Sequence, residues 1–366
     1  MTQRTRPPFR ADHVGSLLRP QSLLDLREQA KSGTVTPAEL RVHEDECIAE
    51  VAKMQESLGL QSITDGEFRR ESFHGDFIGQ VEGVEFKLFN PLGANKGVAP
   101  FAAVVSRKMR RPAVGMEVEN FRFLRSVTSR TAKQTIPSPT MMHFRGGRDA
   151  IDRTAYPDMD GFFADLARVY REELAGLADA GCRYLQFDDT NLAYLCDENM
   201  RHTVEQRGED IDKLPHDYAA LINDSLRGRP AEMAVCIHLC RGNARSRWFA
   251  QGGYEPVAEI MFNEIDVDGF FLEYDDERSG DFTPLRFVPK GKAVVLGLLT
   301  TKRGELEDRD VIKRRVEEAA QYVDPDQLCL SPQCGFASAS RGNLLTQDEQ
   351  NRKLALIVEL AEEIWC

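Results

Sequence analysis

A histidine and a cysteine two positions apart could place two metal ligands side by side. His238 and Cys240 flank Leu239 near the end of an apolar run. Because side chains alternate faces along a strand, His238 and Cys240 would point the same way and Leu239 the other way. Imidazole and thiolate donors suit zinc. Taken alone, such a pair is more often a buried structural histidine and cysteine.

A glutamate and a second cysteine further along the chain complete a ligand set. Glu273 is the single carboxylate within the aromatic residues 270–274. A buried anion there is costly unless it is paired or binds a metal. Cys334 lies in the segment Ser331-Pro332-Gln333-Cys334-Gly335, whose proline and glycine are typical of a shaped turn that presents a thiol. The alternatives are an ion pair of Glu273, for example with Arg286, and an ordinary loop thiol at Cys334. The predicted zinc ligands are His238, Cys240, Glu273 and Cys334.

Eight short apolar runs alternate with amphipathic stretches. The runs fall at 13–16, 61–66, 135–140, 183–188, 233–239, 268–274, 293–299 and 327–331. Segments with helical periodicity lie at 37–58, 160–180, 254–263, 308–323 and 346–364. Alternating strands and helices predict an α/β fold with a closed parallel sheet, a (β/α)8 TIM barrel. The length is compatible with a single catalytic barrel domain over residues 1–366.

Two segments interrupt this alternation. Residues 75–118 are rich in Gly, Phe and Val and carry turn signals at Asn90-Pro91 and Gly93. They predict an insertion after the second strand, either a hairpin or a lid. Residues 190–215 are polar and charged, and they predict a long loop with a short helix.

In such a barrel, catalytic residues lie at the carboxyl ends of the strands. Seven polar residues occur at or just beyond the ends of the apolar runs: Ser16, Glu67, Asp188, His238, Cys240, Glu273 and Cys334. Polar residues end many strands, which is the plainer interpretation of each. The chemical consistency of this set favours one site at one end of the barrel.

Charge and composition exclude several classes of function. The formal net charge is −12, which argues against binding nucleic acid or an anionic membrane surface. There is no apolar run near 18 residues, and residues 1–10 are polar and basic, so neither a membrane span nor a secretory signal is expected. Without a signal, the eight cysteines favour reduced thiols and a cytoplasmic protein. The sequence leaves open whether the protein forms a homo-oligomer.

The ordered motifs resemble the C-terminal catalytic barrel of cobalamin-independent methionine synthases over essentially the whole chain. The matching segments are Val14-Gly15-Ser16, Asp65-Gly66-Glu67, Pro137-Ser138-Pro139-Thr140, Gln186-Phe187-Asp188-Asp189, His238-Leu239-Cys240, Glu273 and Ser331-Pro332-Gln333-Cys334-Gly335. The resemblance implies catalytic zinc on His238, Cys240, Glu273 and Cys334. It also implies that Ser16, Glu67 and Asp188 hold the amino-acid part of homocysteine.

Three departures from the family pattern concern the methyl donor. The N-terminal half of the long enzymes has no counterpart in these residues, and Asp189-Thr190 stands where the family has Glu-Pro. The family's proton-donating histidine after the seventh strand is also missing, since residues 300–305 read TTKRGE. His13 and His143 are the alternatives near strand ends, although a structural histidine is the commoner case. The expected donor is therefore a methyl-folate or a methylated corrinoid protein, and not the polyglutamylated folate alone.

The expected activity is zinc-dependent S-methylation of homocysteine to methionine through a zinc-bound thiolate. An alternative is alkyl transfer to another thiol, as in the similar epoxyalkane–coenzyme M transferases. Coenzyme M carries a sulfonate and no amine, so it would favour arginines where Glu67 and Asp188 stand. Two further alternatives are a non-catalytic zinc-binding or thiol-binding protein and a metal-independent decarboxylase of the uroporphyrinogen type, in which the ligand set would have no role.

Overall fold

The apolar runs form the strands of the central sheet. The computed structural model describes residues 4–88, 101–243 and 245–366; the predicted turn at Asn90-Pro91 and Gly93 lies outside them. Within the described residues the strands are β1 Ser62–Ile63, β2 Glu82–Leu88, β3 Phe101–Arg110, β4 Thr131–Ala132, β5 Gln134–Pro137, β6 Tyr184–Asp189, β7 Ala234–Leu239, β8 Gly269–Glu273, β9 Ala293–Leu299 and β10 Leu328–Pro332.

The parallel strands follow one another around a barrel. β5 to β10 form a six-stranded parallel sheet in chain order, and β1 pairs in parallel with β4, which leads directly into β5. At the other edge, Ala11 forms a parallel bridge with Leu330 of β10. The predicted (β/α)8 barrel is therefore confirmed. The first strand is reduced to this bridge, a few residues before the predicted run at 13–16.

Helices cover the outside of the barrel. They are α1 Gln21–Lys31, α2 Pro37–Ser57, α3 Gly75–Ile78, α4 Val118–Val127, α5 Met141–Phe144, α6 Met159–Asp179, α7 Asn191–Tyr194, α8 Glu198–Gln206, α9 Leu214–Leu226, α10 Glu255–Glu264, α11 Arg309–Ala319 and α12 Gln347–Trp365. Thr36 and Thr346 each close a capping box at the start of α2 and α12, which explains why those helices begin where predicted. None of the helices in the described ranges is long and apolar enough to span a bilayer.

Alternation along the strands divides the core in two. Cys236 and Phe271 belong to a small cluster inside the barrel, whereas their neighbours Ile237 and Leu272 belong to the large core beneath the helices. Along each strand, every second residue points into the barrel. These inward residues are apolar in the middle of the barrel and polar at the carboxyl ends of the strands. Two of those inward polar positions are Asp188 on β6 and His238 on β7, which are register partners.

The insertion after the second strand contains an antiparallel hairpin. β2 and β3 pair from Glu82 opposite Arg110 to Leu88 opposite Phe101, with a register shift near Glu82. The sequence predicted either a hairpin or a lid for residues 75–118, and the structure shows a hairpin there. Helices α1, α3, α4, α5 and α9 were not predicted. The 190–215 segment, predicted as a long loop with a short helix, contains the two helices α7 and α8.

Candidate metal centre and substrate pocket

Four potential metal ligands converge at the carboxyl end of the barrel. His238 lies on β7, Cys240 directly follows that strand, Glu273 ends β8, and Cys334 follows β10. All four are buried, and their ligand atoms lie within 4.8 Å of one another. The two Sγ atoms of Cys240 and Cys334 are 3.4 Å apart. The structure thus brings together all four residues that were predicted as ligands from the sequence.

The donor set fits zinc. Nδ1 and Nε2 of His238 are buried and have no hydrogen-bond partner among the described residues. An imidazole buried in this way lacks the partners that buried polar atoms normally have. Two sulfurs, one imidazole nitrogen and one carboxylate oxygen at mutual distances below 4.8 Å suit a tetrahedral zinc ion, whose bonds are about 2.0–2.3 Å long.

Two arginines hold the Glu273 carboxylate. The backbone N–H of Arg241 donates to Oε1 at 2.9 Å, and Nη2 of Arg278 donates to Oε2 at 3.1 Å. The Glu273 backbone N–H donates to the Tyr254 hydroxyl at 2.9 Å. The sequence suggested Arg286 as an ion-pair partner, which is wrong, because Arg286 pairs with Glu255 on the protein surface. Glu273 is therefore oriented by neighbours while each oxygen keeps a lone pair for a ligand.

The site favours one thiolate beside one thiol. The adjacent Cys240 thiol lowers the pKa of Cys334 well below its usual value despite burial, and His238 lowers it further. The pKa of Cys240 is raised correspondingly by Cys334 and by burial. Burial also raises the pKa of Glu273, and the charge of Cys334 adds to this effect. Concentrated negative charge of this kind is what a divalent cation neutralises.

A bulge and a close strand approach present Cys334. The register between β9 and β10 shifts between Ser331 and Pro332. A Cβ at Gly297 of β9 would lie 2.6 Å from the Gln333 Cα, so only glycine permits this approach. The Gln333 side chain then accepts from the backbone N–H and the hydroxyl of Thr301, at 2.6 and 2.8 Å. Cys334 is thereby held between two rigid elements.

The loop at Cys334 packs directly on Ser16. The Phe336 N–H donates to the Ser16 carbonyl at 2.9 Å, and the Ala337 N–H donates to Oγ of Ser16 at 3.2 Å. A Cβ at Gly335 would lie 1.9 Å from that Oγ. The residue expected to hold substrate is therefore in contact with the loop that carries a metal ligand.

Glu67 and Asp188 form a buried acidic pair beside the metal cluster. Glu67 pairs with Arg70 at 2.6 Å and adopts the left-handed conformation with φ of 61°, which is strained for a residue other than glycine. Oδ1 of Asp188 accepts from Gln186 at 2.7 Å. Burial raises the pKa of Glu67 to about 7, opposed by Arg70 and reinforced by Asp188. Burial also raises the pKa of Asp188. Both acids would be stabilised by a cation placed between them.

The loop after β9 brings a lysine to the cluster. Lys302 Nζ lies 2.8 Å from Oδ2 of Asp275, whose Oδ1 accepts from Arg278. The charge of Lys302 acts on both Glu273 and Cys334. From the sequence, this loop was noted only because it lacks the family's histidine, and Lys302 was not predicted. The signal that could have identified Lys302 is a cation directly after a strand that leads to the site.

Neither alternative histidine is a protonated donor. Burial, followed by Lys133, lowers the pKa of His13 to about 4. Burial, followed by Arg207, lowers the pKa of His143 to about 3, and its Nδ1 lies 2.9 Å from the Tyr218 hydroxyl. Both imidazoles are therefore neutral at physiological pH and are held in the structure.

The chain is similar to known proteins over almost its whole length. Residues 9–363, which include all four ligands, match the family model described as cobalamin-independent synthase, catalytic domain. The chain is 43% identical over 369 residues to the uncharacterised protein YxjH of Bacillus subtilis (strain 168), covering 98% of this chain and 96% of that protein. It is 25% identical over 331 residues to the methionine synthase of Pyrococcus abyssi (strain GE5 / Orsay), covering 90% and 86%. A crystal structure from Listeria monocytogenes, provisionally named a vitamin-B12-independent methionine synthase, superposes with a TM-score of 0.80 and 37% identity over 99% of this chain and 100% of that chain.

Proposed function

This chain belongs to the cobalamin-independent synthase family and is a methyltransferase of that family, and from that premise we propose that it methylates the thiol of homocysteine with the help of zinc. The observation that carries the proposal is the cluster of His238, Cys240, Glu273 and Cys334, whose ligand atoms lie within 4.8 Å of one another. The donor atoms of these four residues and the family membership both support zinc there.

The ligand set suits activation of a thiol. Two thiolates, one carboxylate and one neutral imidazole around a divalent ion sum to a charge of −1. Bound zinc would lower the pKa of the acceptor thiol, so that the thiolate is available at neutral pH. The protein residues around it set the geometry: Arg278 and the Arg241 N–H orient Glu273, and the bulge after β10 positions Cys334.

We assign the acidic pair to the acceptor's ammonium group. Asp188 is the register partner of His238, so an amine bound at Asp188 belongs to a molecule that also reaches the metal cluster. Glu67 and Asp188 repel each other, and an ammonium between them relieves that repulsion. Ser16, in contact with the Cys334 loop, lies where it can bind the same amino acid. An aminated thiol such as homocysteine meets these requirements, whereas a sulfonated thiol would face two carboxylates.

The donor we propose is not a polyglutamylated folate acting alone. The loop after β9 has Thr301 engaged with Gln333 and Lys302 paired with Asp275, and it carries no histidine in residues 300–305. A methyl-folate in a different binding mode, or a methylated corrinoid protein, is the donor class consistent with this loop. We further propose that the chain acts as one catalytic domain in the cytoplasm, since all eight cysteines are free and zinc thiolates need reduced sulfur.

The test is methionine formation from homocysteine by the zinc-loaded protein. Three donors are supplied in turn: methyl-tetrahydrofolate, methylcobalamin and a methylated sulfonium metabolite. Methionine with any of them supports the proposal, and turnover with methyl-folate alone shows which donor class is used. Absence of methionine with every donor, together with zinc-linked proton release by a sulfonated thiol but not by homocysteine, would move the protein to the alkyl-transfer alternative.

A further inference from the structure

Arg145 is a half-buried cation at the site end of the barrel, and no carboxylate among the described residues pairs with it. It follows α5, the short helix that begins beyond the carboxyl end of β5. Burial lowers the pKa of Arg145, and the one ionisable group among the described residues that opposes this effect is the phenol of Tyr194. Burying an arginine without an anion is costly, so a site that keeps one is suited to an anionic ligand.

Three other cations around the candidate site are already paired with acids. Arg70 contacts Glu67 at 2.6 Å, Arg278 contacts Glu273 at 3.1 Å and Lys302 contacts Asp275 at 2.8 Å. Those charges hold acids of the site in place. Arg145 differs from them, because no acid in the described ranges pairs with it and its charge is available to a bound anion.

Arg207 fixes the backbone at Arg145. Arg207 donates to the carbonyl oxygens of Phe144 and Arg145 at 2.7 and 3.3 Å, and it pairs with Glu209 at 2.9 Å. Because its peptide is anchored, Arg145 is presented at a defined position, which reduces the ordering cost of binding.

Tyr194 connects Arg145 to the metal cluster. Burial raises the pKa of Tyr194, the charge of Arg145 opposes that effect, and Cys240 and Glu273 reinforce it. A Cβ at Gly242 would lie 3.4 Å from the Tyr194 hydroxyl, and the Gly242 N–H donates to Sγ of Cys240 at 3.3 Å. Tyr194 therefore lies between Arg145 and Cys240, one of the proposed zinc ligands.

His74 adds an unused polar atom next to this arginine. Its Nδ1 is buried and has no hydrogen-bond partner among the described residues. Burial, followed by the charge of Arg145, lowers the pKa of His74 well below its usual value, so the ring is neutral. The N–H of a neutral imidazole and those of a guanidinium together provide hydrogen-bond donors for an anionic group.

The acceptor amino acid does not account for Arg145. In an α-amino acid, the carboxylate lies within about 4 Å of the amine because only one carbon separates them. An amine held by Glu67 and Asp188 would keep its carboxylate close to those two acids. Among the described residues, neither Glu67 nor Asp188 forms an ion pair with Arg145, and Glu67 pairs instead with Arg70. The remaining substrate is the methyl donor.

We propose that Arg145 is a binding residue for an anionic group, a carboxylate or a phosphate, carried by the methyl donor. The inference rests on the proposed function and deepens it, because it states a chemical feature that the donor must have. The glutamate carboxylates of a methyl-folate and the nucleotide phosphate of a methylated corrinoid both supply that feature.

The experiment measures binding of two probes, 5-methyltetrahydrofolate monoglutamate and methylcobalamin, to the zinc-loaded protein by titration calorimetry. Arg145→Met should weaken at least one probe by tenfold or more, the scale of a lost charge-assisted hydrogen bond, and Arg145→Lys should retain most of the affinity. The matched control is Arg247→Met, which removes an exposed arginine from the loop after β7 and should change affinity less than twofold. The probe that responds identifies the source of the anion.

Homocysteine binding is measured in parallel and should be unchanged in Arg145→Met. Arg145→Gln, with circular dichroism of both variants, covers the case in which the methionine variant does not fold. Equal probe affinities in the wild type and both uncharged variants, or no binding of either probe to the wild type, would overturn the inference. Loss of donor binding in a protein that shows no homocysteine methylation would instead reject the proposed acceptor and leave the anion subsite standing.

Discussion

Cys240 and Cys334 lie with their sulfur atoms 3.4 Å apart, although 94 positions separate them in the chain. The two thiols can approach this closely because the parallel strands β7 and β10 end on the same rim of the barrel, and the register of β10 shifts between Ser331 and Pro332, just before Cys334. A buried pair of sulfurs lies beside the His238 imidazole, for which the described residues offer no hydrogen-bond partner, and this leads to a prediction about metal content.

We expect the purified protein to bind about one zinc ion per chain, and His238→Ala or Cys334→Ser to lose both zinc and activity. The fold should persist, since these residues are at the rim and outside both hydrophobic clusters. Elemental analysis and circular dichroism measure the two properties. Cys366→Ser is the matched control because this cysteine is exposed and should leave zinc unchanged. Full zinc occupancy in a Cys240→Ala, Cys334→Ala double variant would rule out the assignment.

Substrate recognition is tested at Asp188. Asp188→Asn should weaken homocysteine binding by about 1.5–3 kcal/mol, because it removes one of two charges that face the ammonium group. A thiol without an amine, such as 3-mercaptopropionate, should bind with nearly unchanged affinity. Calorimetry on both ligands gives the comparison, and Asp212→Asn, a change at an exposed aspartate, serves as the control variant. Equal losses for both thiols would show that Asp188 acts on the metal site and not on the amine.

Steric contact predicts a role for Gly335. A Cβ there would lie 1.9 Å from the Ser16 hydroxyl, so Gly335→Ala must displace either Ser16 or the Cys334 loop. We expect activity to fall by tenfold or more and stability to fall by about 1–3 kcal/mol, as for other overpacked sites. Gly253→Ala is the control, because its nearest contact would be an ordinary 3.5 Å. Wild-type kinetics in Gly335→Ala would show that the Ser16 contact is not needed for the reaction.

The buried His143 predicts a change in acid stability. Its pKa is lowered to about 3 by burial and then by Arg207, while Glu209 lies 3.9 Å from its Nε2. Because the unfolded chain binds a proton near pH 6.5 and the folded protein does not, His143 makes the folded state lose stability as pH falls below about 6.5.

The His143→Gln variant should therefore lose less stability than the wild type between pH 6.5 and 4.5. At pH 7.5 it should be less stable by about 1 kcal/mol, because the bond with Tyr218 is disturbed. Denaturant unfolding at a series of pH values measures both differences. His202→Gln, at an exposed histidine, should follow the wild-type curve. A stability difference between His143→Gln and the wild type that does not change with pH would show that folding does not lower the pKa of His143.

Local patterns determined the strands, their inward faces and the residue types of the site. The two-residue period of β7 is enough to predict that His238 and Cys240 share a face, and the capping boxes at Thr36 and Thr346 are enough to predict where α2 and α12 begin. These features depend on neighbours within a few positions, so they are visible in the sequence. The fold class and family follow from them because several motifs occur in barrel order.

Only the tertiary structure decided which distant groups meet. Arg278 and not Arg286 pairs with Glu273, the first strand pairs at Ala11, and Lys302 joins the cluster through Asp275. Arg145 gave no signal in the sequence, since an arginine becomes notable only when no acid reaches it. Charge pairing and close contact between segments far apart in the chain depend on how the barrel closes, and a one-dimensional pattern does not contain those distances.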